Sequence, residues 1–566
     1  MRSWKNWLAE THSVGFELRR HFFARFFDSE FISSPGQAKV VAGGALAILI
    51  SLSILFTQAY YHKYLRLGAL DDPQPFLLAE LADVLFIITL AMLAMALFAT
   101  LQWPSLFPGL RDYMALAGLP VRMRDVFVAK FTALTAFAAL ATAATTSLPS
   151  VVLPAVMSGG WAPHPVRQLP AIFISASSAC LFVFLCLVAV QGVLLNVVSV
   201  RQFPRVSLSI QGLLLTVFVC ALPFSFTIPN LSTKMNLRPL WAMWAPPVWF
   251  LGLDQAISGN HDLLATRLAL RSIVGLVGAG AAAVLTYVWS YRRHRTRVVE
   301  SPELESNARM AFPPALTTWL VPDPRALAVF GFTSKSLTRS RHHRLILTAF
   351  CAAALAVISQ GIAGSVGRSA LQQQAAIAAP LALSLFVLTG LRYLFRHPVE
   401  LRANWLFRIH QPGNAAKLLA GVERFVVYCA VVPIALLTLP AEMLVLGIGT
   451  GLLASLTCLL LSLMLMETLL FSFEKIPFTS SYLPGRRPII ETVLRGSVVS
   501  VLWVGGLSSI VRWSLNSVAS SVGLIVLLFA GWWKARGARL GWQRVDRLEF
   551  EEMQDPAVQV LSIDRD

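Results

Sequence analysis

The sequence predicts an all-α polytopic membrane protein of about twelve transmembrane helices. These form two parallel six-helix repeats with interfacial and short cytoplasmic helices between the spans. Three observations carry that prediction. Of 566 residues, 56% are hydrophobic and only 13% charged, against about a quarter charged in a soluble domain. Apolar runs near the roughly 20 residues that cross a bilayer recur along the chain. They include 40–59, 84–101, 170–200, 207–227, 272–290, 345–359, 375–391, 425–439, 443–473, 496–511 and 518–533. Basic residues gather in alternate connections between those runs. The short alternating segments of a β-barrel are absent from the sequence.

The chain opens with a polar, amphipathic stretch over 1–38. It has no short apolar core followed by a small-residue cleavage site, so the run starting near Val40 is expected to stay as a span. With the N-terminus inside, the cytoplasmic segments are 1–39, 102–130, 197–206, 292–344, 392–424, 473–495 and 534–566. They hold 38 of the 47 Lys and Arg. That bias predicts an even number of spans with both termini in the cytoplasm of a bacterial-type inner membrane. It also explains the net charge of +18 without nucleic acid as a partner; membrane lipids are the expected neighbours. The long 228–271 segment is external in this topology despite Lys234, Arg238, Arg267 and Arg271, since long loops follow the charge rule poorly.

The segment 292–344 begins "RRHRTR" and continues through "SPELESNARMAFPP". It separates two sets of six spans, which gives a first half over 1–291, a linker over 292–331, a second half over 332–540 and a tail over 541–566. Each half starts with a basic amphipathic stretch suited to the membrane interface, Phe16–Phe27 and Phe332–Ile346. Two spans follow in each. Then come "RDYMALAGLPVRMRDVFVAKF" and "PVELRANWLFRIHQPGNAAKLL", each with an acid, a short amphipathic run, a Pro break and Ala-Lys (Ala129-Lys130 and Ala416-Lys417). Matching elements in matching order predict an internal duplication. Six spans per copy make it a parallel one. The first half alone carries about 40 residues between its fifth and sixth spans, including Trp241–Gly259, so the outer face is asymmetric.

In the first short element Tyr113, Leu116 and Leu119 share a helix face until Pro120 ends it. In the second, Leu401, Trp405 and Phe407 are the apolar residues, and Pro412-Gly413 supplies the break. The order of interfacial helix, two spans, short cytoplasmic helix with an "LP-x-R…AK" ending, and four more spans resembles the membrane subunit of type 2 ATP-binding-cassette exporters. "PPVWFLGL" (Pro246–Leu253) resembles that family's re-entrant helix between the fifth and sixth spans. The fusion of two halves, and the missing outer insertion in the second, depart from the family pattern. The resemblance implies a permease moving a substrate between its halves, driven by ATPase subunits, two in number, that dock on the cytoplasmic helices. It marks Tyr113, Leu116, Arg122 and Arg124, with Asn404, Trp405, Arg408 and Gln411, as residues that couple the ATPase to the spans.

No G-x-x-x-x-G-K-[ST] loop occurs, so ATP hydrolysis is expected in a separate chain. "GFTSKS" (Gly331–Ser336) lacks the second Gly and the spacing. The six Cys all lie in apolar runs with no CxxC pair, which predicts neither a disulfide nor a metal site, and no cofactor is expected. His342-His343, among Arg341 and Arg344, reads as a headgroup contact. The carboxylates form no recognisable intramembrane pair. Glu467, inside a long apolar run, is expected to face protein or to line a path, with Lys475 within reach; Gln191 and Asn196 are candidates for the same path. Three other classes compete: a twelve-span secondary transporter, a membrane enzyme with a weak polar cluster near Asp254 and His261, and a scaffold. Charged residues within spans look sparse for ion coupling, which favours the exporter.

Overall fold

The computed structural model describes residues 14–25, 60–107, 123–157, 165–199, 202–230, 243–260, 262–297, 314–397, 403–409, 415–471, 473, 475–479, 496, 498–545 and 548. Among them there is no strand. The chain divides into two compact units, 1–304 and 305–566. The protein is an all-α polytopic membrane fold: 10 of the described helices are long and apolar enough to cross a bilayer. The first expected run, 40–59, lies outside the described residues. The expected span at 496–511 is a shorter apolar helix over Val498–Ser514, interrupted by a π-helical turn at Val501–Gly506.

The first unit holds α1 (Val14–Arg25), α2 (Gln74–Leu101), α3 (Met123–Met157), α4 (Pro165–Val197), α5 (Phe203–Ser225), α6 (Pro246–Ser258) and α7 (Leu263–Arg297). A further helix covers 60–68. Helix α1 packs on α3; α2 packs on α4 and α5; α4 also carries α3 and α7. Two apolar clusters form its core. One gathers Leu18, Phe22, Trp103, Phe137 and Tyr287 around α1 and the start of α3. The other gathers Tyr64, Phe76, Ile88, Met157 and Phe250. Lys130 and Met157 are 27 positions apart on α3, so the clusters lie at opposite ends of a helix stretch about 40 Å long.

The second unit holds α8 (Pro314–Leu320), α9 (Pro324–Arg339), α10 (Arg341–Ser365), α11 (Ser369–Leu394), α12 (Asn404–Ile409) and α13 (Ala415–Val426). The chain then runs through a π turn at Val427–Val431 into α14 (Val432–Leu446), followed by α15 (Ile448–Leu470), α16 (Leu507–Ser514) and α17 (Val518–Val545). Here α9 packs on α13, α11 on α15 and α16, and α15 also carries α14 and α17. The pairings run in the same order as in the first unit. Helix α6 has no counterpart among the described residues of the second.

Three boundaries differ from the sequence expectation, each for a local reason. The second interfacial stretch is not one helix over 332–346. Asp323 caps α9 by accepting from the Arg325 N–H at 2.9 Å, with Pro324 in the first turn, where a missing N–H costs nothing. Ser340 then breaks the chain, and its hydroxyl caps α10 through the His343 N–H. Much of the expected linker is therefore helical, and "GFTSKS" sits inside α9 with Gly331, Thr333, Ser334 and Ser336 buried, not in a phosphate-cradling loop. Helix α2 starts ten residues before its expected span, at Gln74. Helix α17 continues to Val545 because its basic residues turn onto buried partners.

Candidate functional site

In each unit the amphipathic helix seats on the helix that follows the second span. In the first unit Leu18 and Phe22 of α1 are buried, and the Lys130 ammonium lies 4.9 Å from the centre of the Phe22 ring. Lys130 is itself buried, so its charge is drawn to the ring face in dry surroundings. In the second unit Gly421 of α13 allows the approach. A Cβ there would stand 2.3 Å from the Ala326 carbonyl oxygen and 2.9 Å from Val329 Cβ of α9. Lys417, the counterpart of Lys130 in the sequence pattern, is exposed.

The short helix α12 hangs between α11 and α13. Phe407 anchors it, buried, edge-on to Phe332 of α9 at 5.3 Å between ring centres. Trp405 and Ile409 are each 63% exposed, and Leu406 and Arg408 are also exposed. Of the expected coupling residues, Tyr113, Leu116, Arg122 and Gln411 lie outside the described residues. Arg124 lies in the first turn of α3 and Asn404 begins α12, but their side chains are outside the description. Trp405 and Arg408 therefore stand on a face of α12 that is exposed among the described residues.

Two positions from Gly421, about 200° around α13, Glu423 faces the other way into a buried ion network. Arg539 of α17, 1% exposed, donates from Nε to Glu467 Oε2 at 2.5 Å and from Nη2 to Glu423 Oε2 at 2.6 Å. Its Nη1 reaches Gln543 Oε1 at 3.3 Å, and Arg536 Nη2 lies 3.0 Å from Glu423 Oε1. One guanidinium fork thus ties α13, α15 and α17 with charge-assisted bonds. Glu467 faces protein, as expected of a buried charge, yet its partner is Arg539 and it is almost fully enclosed. The sequence reading found no intramembrane carboxylate pair; Glu423 and Glu467 form one around Arg539. The available signal was spacing. Arg536, Arg539 and Gln543 fall at i, i+3 and i+7 on one face of a helix.

The other path candidates are interhelical clamps. Gln191 Nε2 donates to the Trp103 carbonyl at 2.8 Å. Asn196 Nδ2 donates to the Gly192 carbonyl at 2.7 Å and to Ser290 Oγ of α7 at 2.9 Å. Both side chains are buried. The His pair divides. His343 turns inward: its Nδ1 meets Ser340 Oγ at 2.7 Å, and its ring stands edge-on to Phe478 at 5.1 Å. It is a packed cap residue, not a headgroup contact. Phe478 belongs to the "EKIPFTSSYLPGR" stretch. It is fully buried with φ of 66°, sparsely populated for a bulky residue, and its N–H donates to the Phe395 carbonyl at 3.3 Å. That bond pins the segment after α15 under the end of α11. His397 joins the same corner; burial, then the nearby His342 charge, holds its imidazole below the usual range.

At the opposite end of the first unit lie further buried polar groups; of these the sequence pointed to Asp254 alone. Asp83 receives Lys63 Nζ at 2.7 Å and the Tyr64 hydroxyl at 2.6 Å. Glu80, one turn earlier on α2, receives Gln168 Nε2 at 2.7 Å. Asp254 of α6 is 2% exposed. In the second unit Glu442 is buried, with Ser455 beside its carboxyl. Charged residues within the apolar helices are thus more numerous than the sequence suggested. Among the described residues no group of three or more His, Cys, Asp or Glu is placed to hold a metal ion. Comparison of the chain with protein-family models, curated proteins and solved structures gives no significant match.

Proposed function

We propose that the chain is the membrane permease of an ATP-binding-cassette exporter, driven by a separate ATPase that docks on α9, α12 and their first-unit counterparts. The observation that carries this reading is α12. A six-residue helix anchored by Phe407 holds Trp405, Leu406 and Ile409 outward with a basic residue among them. Aromatic and aliphatic residues presented this way suit an interface centre. Helix α13 then links docking to the spans: Gly421 seats α9 on one side of it, and Glu423 binds Arg539 on the other. A push on α9 or α12 reaches α15 and α17 through the ion network. The basic-residue bias supports a cytoplasmic position for this face and an inner-membrane location with both termini inside.

Affinity capture of the full chain from its native membrane tests the reading. An ATPase with a phosphate-binding loop is expected with the wild type and not with the double substitution Trp405→Glu, Ile409→Glu. Capture unaffected by the substitutions sinks the reading. A second reading, a cation-coupled transporter, is favoured by the buried carboxyl groups of Glu80, Asp254 and Glu442. It predicts transport in vesicles that follows an ion gradient and needs no ATP.

A further inference from the structure

Helix α6 packs against α2, α4 and α7, and brings a carboxyl group to a place that already holds another. Gln168 and Ser175 are seven residues apart on α4, so they share one face two turns apart. Gln168 donates its amide N–H to Glu80 Oε1 of α2 at 2.7 Å. Ser175 and Gln255 lie beside the Asp254 carboxyl of α6. Glu80 and Asp254 are close enough for their charges to oppose each other. Two acceptors in this cluster, Asp254 Oδ1 and Gln168 Oε1, have no hydrogen-bond donor among the described residues. Their residues are 2% and 1% exposed. A buried acceptor without a donor is costly, and a second carboxylate nearby adds repulsion.

Among the described residues the neighbouring charges do not supply the missing partner. On the helix over 60–68, Lys63 is bound to Asp83 at 2.7 and 2.9 Å, and Tyr64 donates to the same carboxylate; Tyr60 lies beside them and also hydrogen-bonds Asp83. On α4, Arg167 is exposed. On α7, Arg267 is exposed and Arg271 donates to the Met243 carbonyl at 3.0 Å.

We propose that Glu80, Gln168 and Asp254 form a binding site for one monovalent cation, a proton or a sodium ion, at the end of the first unit remote from α1. Either ion meets the requirement of the cluster. It supplies a positive centre to acceptor-only atoms and removes the repulsion between two carboxylates in apolar surroundings. The acceptors come from three helices, α2, α4 and α6, so occupancy holds α6 against the spans. The site does not depend on the ATPase reading and is found on the purified chain alone.

Burial first, and then the Glu80 charge, push the Asp254 carboxyl from 3.8 up to about 7. A carboxyl whose pKa is higher folded than unfolded adds stability that is complete below about pH 4 and lost as pH rises through about 7. The test is thermal unfolding of the full chain in detergent, with Glu442→Gln as background so that the second unit's buried carboxyl does not contribute. One arm raises NaCl at pH 8 against choline chloride at equal ionic strength. The other lowers pH from 8 to 5 without sodium. Stabilisation by sodium at pH 8 assigns the metal ion; stabilisation by acid alone assigns the proton. In both cases Asp254→Asn, nearly isosteric, is expected to remove the response, and Glu80→Gln to weaken it. No response to either ion in the parent, or the same response in Asp254→Asn, overturns the proposal. If Asp254→Asn does not fold, Gln168→Leu replaces it with the same expected loss.

Discussion

The two units pair their helices in the same order but place their buried ion pairs at opposite ends relative to their amphipathic helices. In the first unit Lys63, Glu80, Asp83 and Asp254 cluster remote from α1. In the second, Glu423, Glu467 and Arg539 sit close to the amphipathic helix α9, on the far side of α13. The seating of that helix differs too: a lysine over a phenyl ring in one, a glycine against a backbone carbonyl in the other. One helix arrangement is therefore compatible with two chemistries. The second unit ties its helices with an ion network where a cytoplasmic partner is proposed to push; the first has Lys130 over Phe22 at that end and its described ion pair, Lys63 with Asp83, at the other.

The largest expected effect that sharpens this contrast is at Arg539. Arg539→Met leaves Glu423 and Glu467 buried without their cation, and breaking a buried ion pair from one side costs about 3–5 kcal/mol. Thermal unfolding in detergent should show severe destabilisation. The triple change Glu423→Gln, Glu467→Gln, Arg539→Met should recover much of the loss, because no charge is then stranded. Next is Gly421→Ala. Its new Cβ meets the Ala326 carbonyl oxygen, which is backbone and gives little, and overpacking of this kind costs about 1–3 kcal/mol. Protease sensitivity around α9 should rise more than global unfolding changes.

The comparison between the lysines is smaller. Lys130→Met removes a desolvated cation over Phe22, an effect of about 2 kcal/mol or less, whereas Lys417→Met at an exposed position should change stability by less than about 0.5 kcal/mol. Equal effects at the two positions would break the contrast between the units. The smallest stability change is expected for Trp405→Glu, which touches an exposed face of α12. It should leave the unfolding temperature unchanged while removing the captured ATPase.

The helices themselves were legible because bilayer-length apolar runs announce them. Their ends were misread wherever a charge is buried. The apolar run begins only after Glu80 and Asp83, so the second span is expected at 84, yet α2 begins at Gln74. Arg536 and Arg539 fall in the basic cytoplasmic segment expected over 534–566. A charge in an apolar helix signals water unless its partner is known, and the partners of Arg539 lie 72 and 116 residues away. The break at Ser340 was hidden by hydrophobic periodicity on both sides. Trp405 and Arg408 were singled out through the family resemblance; the network behind them needed the packing of α13, α15 and α17.

The most direct measurement is photocrosslinking in cells from a benzoylphenylalanine placed at position 405. A crosslink to a chain with a phosphate-binding loop, changed in yield by ATP, is the predicted result. Crosslinks confined to lipid, or to proteins without such a loop, would contradict the assignment of this chain as the permease of an ATP-driven exporter.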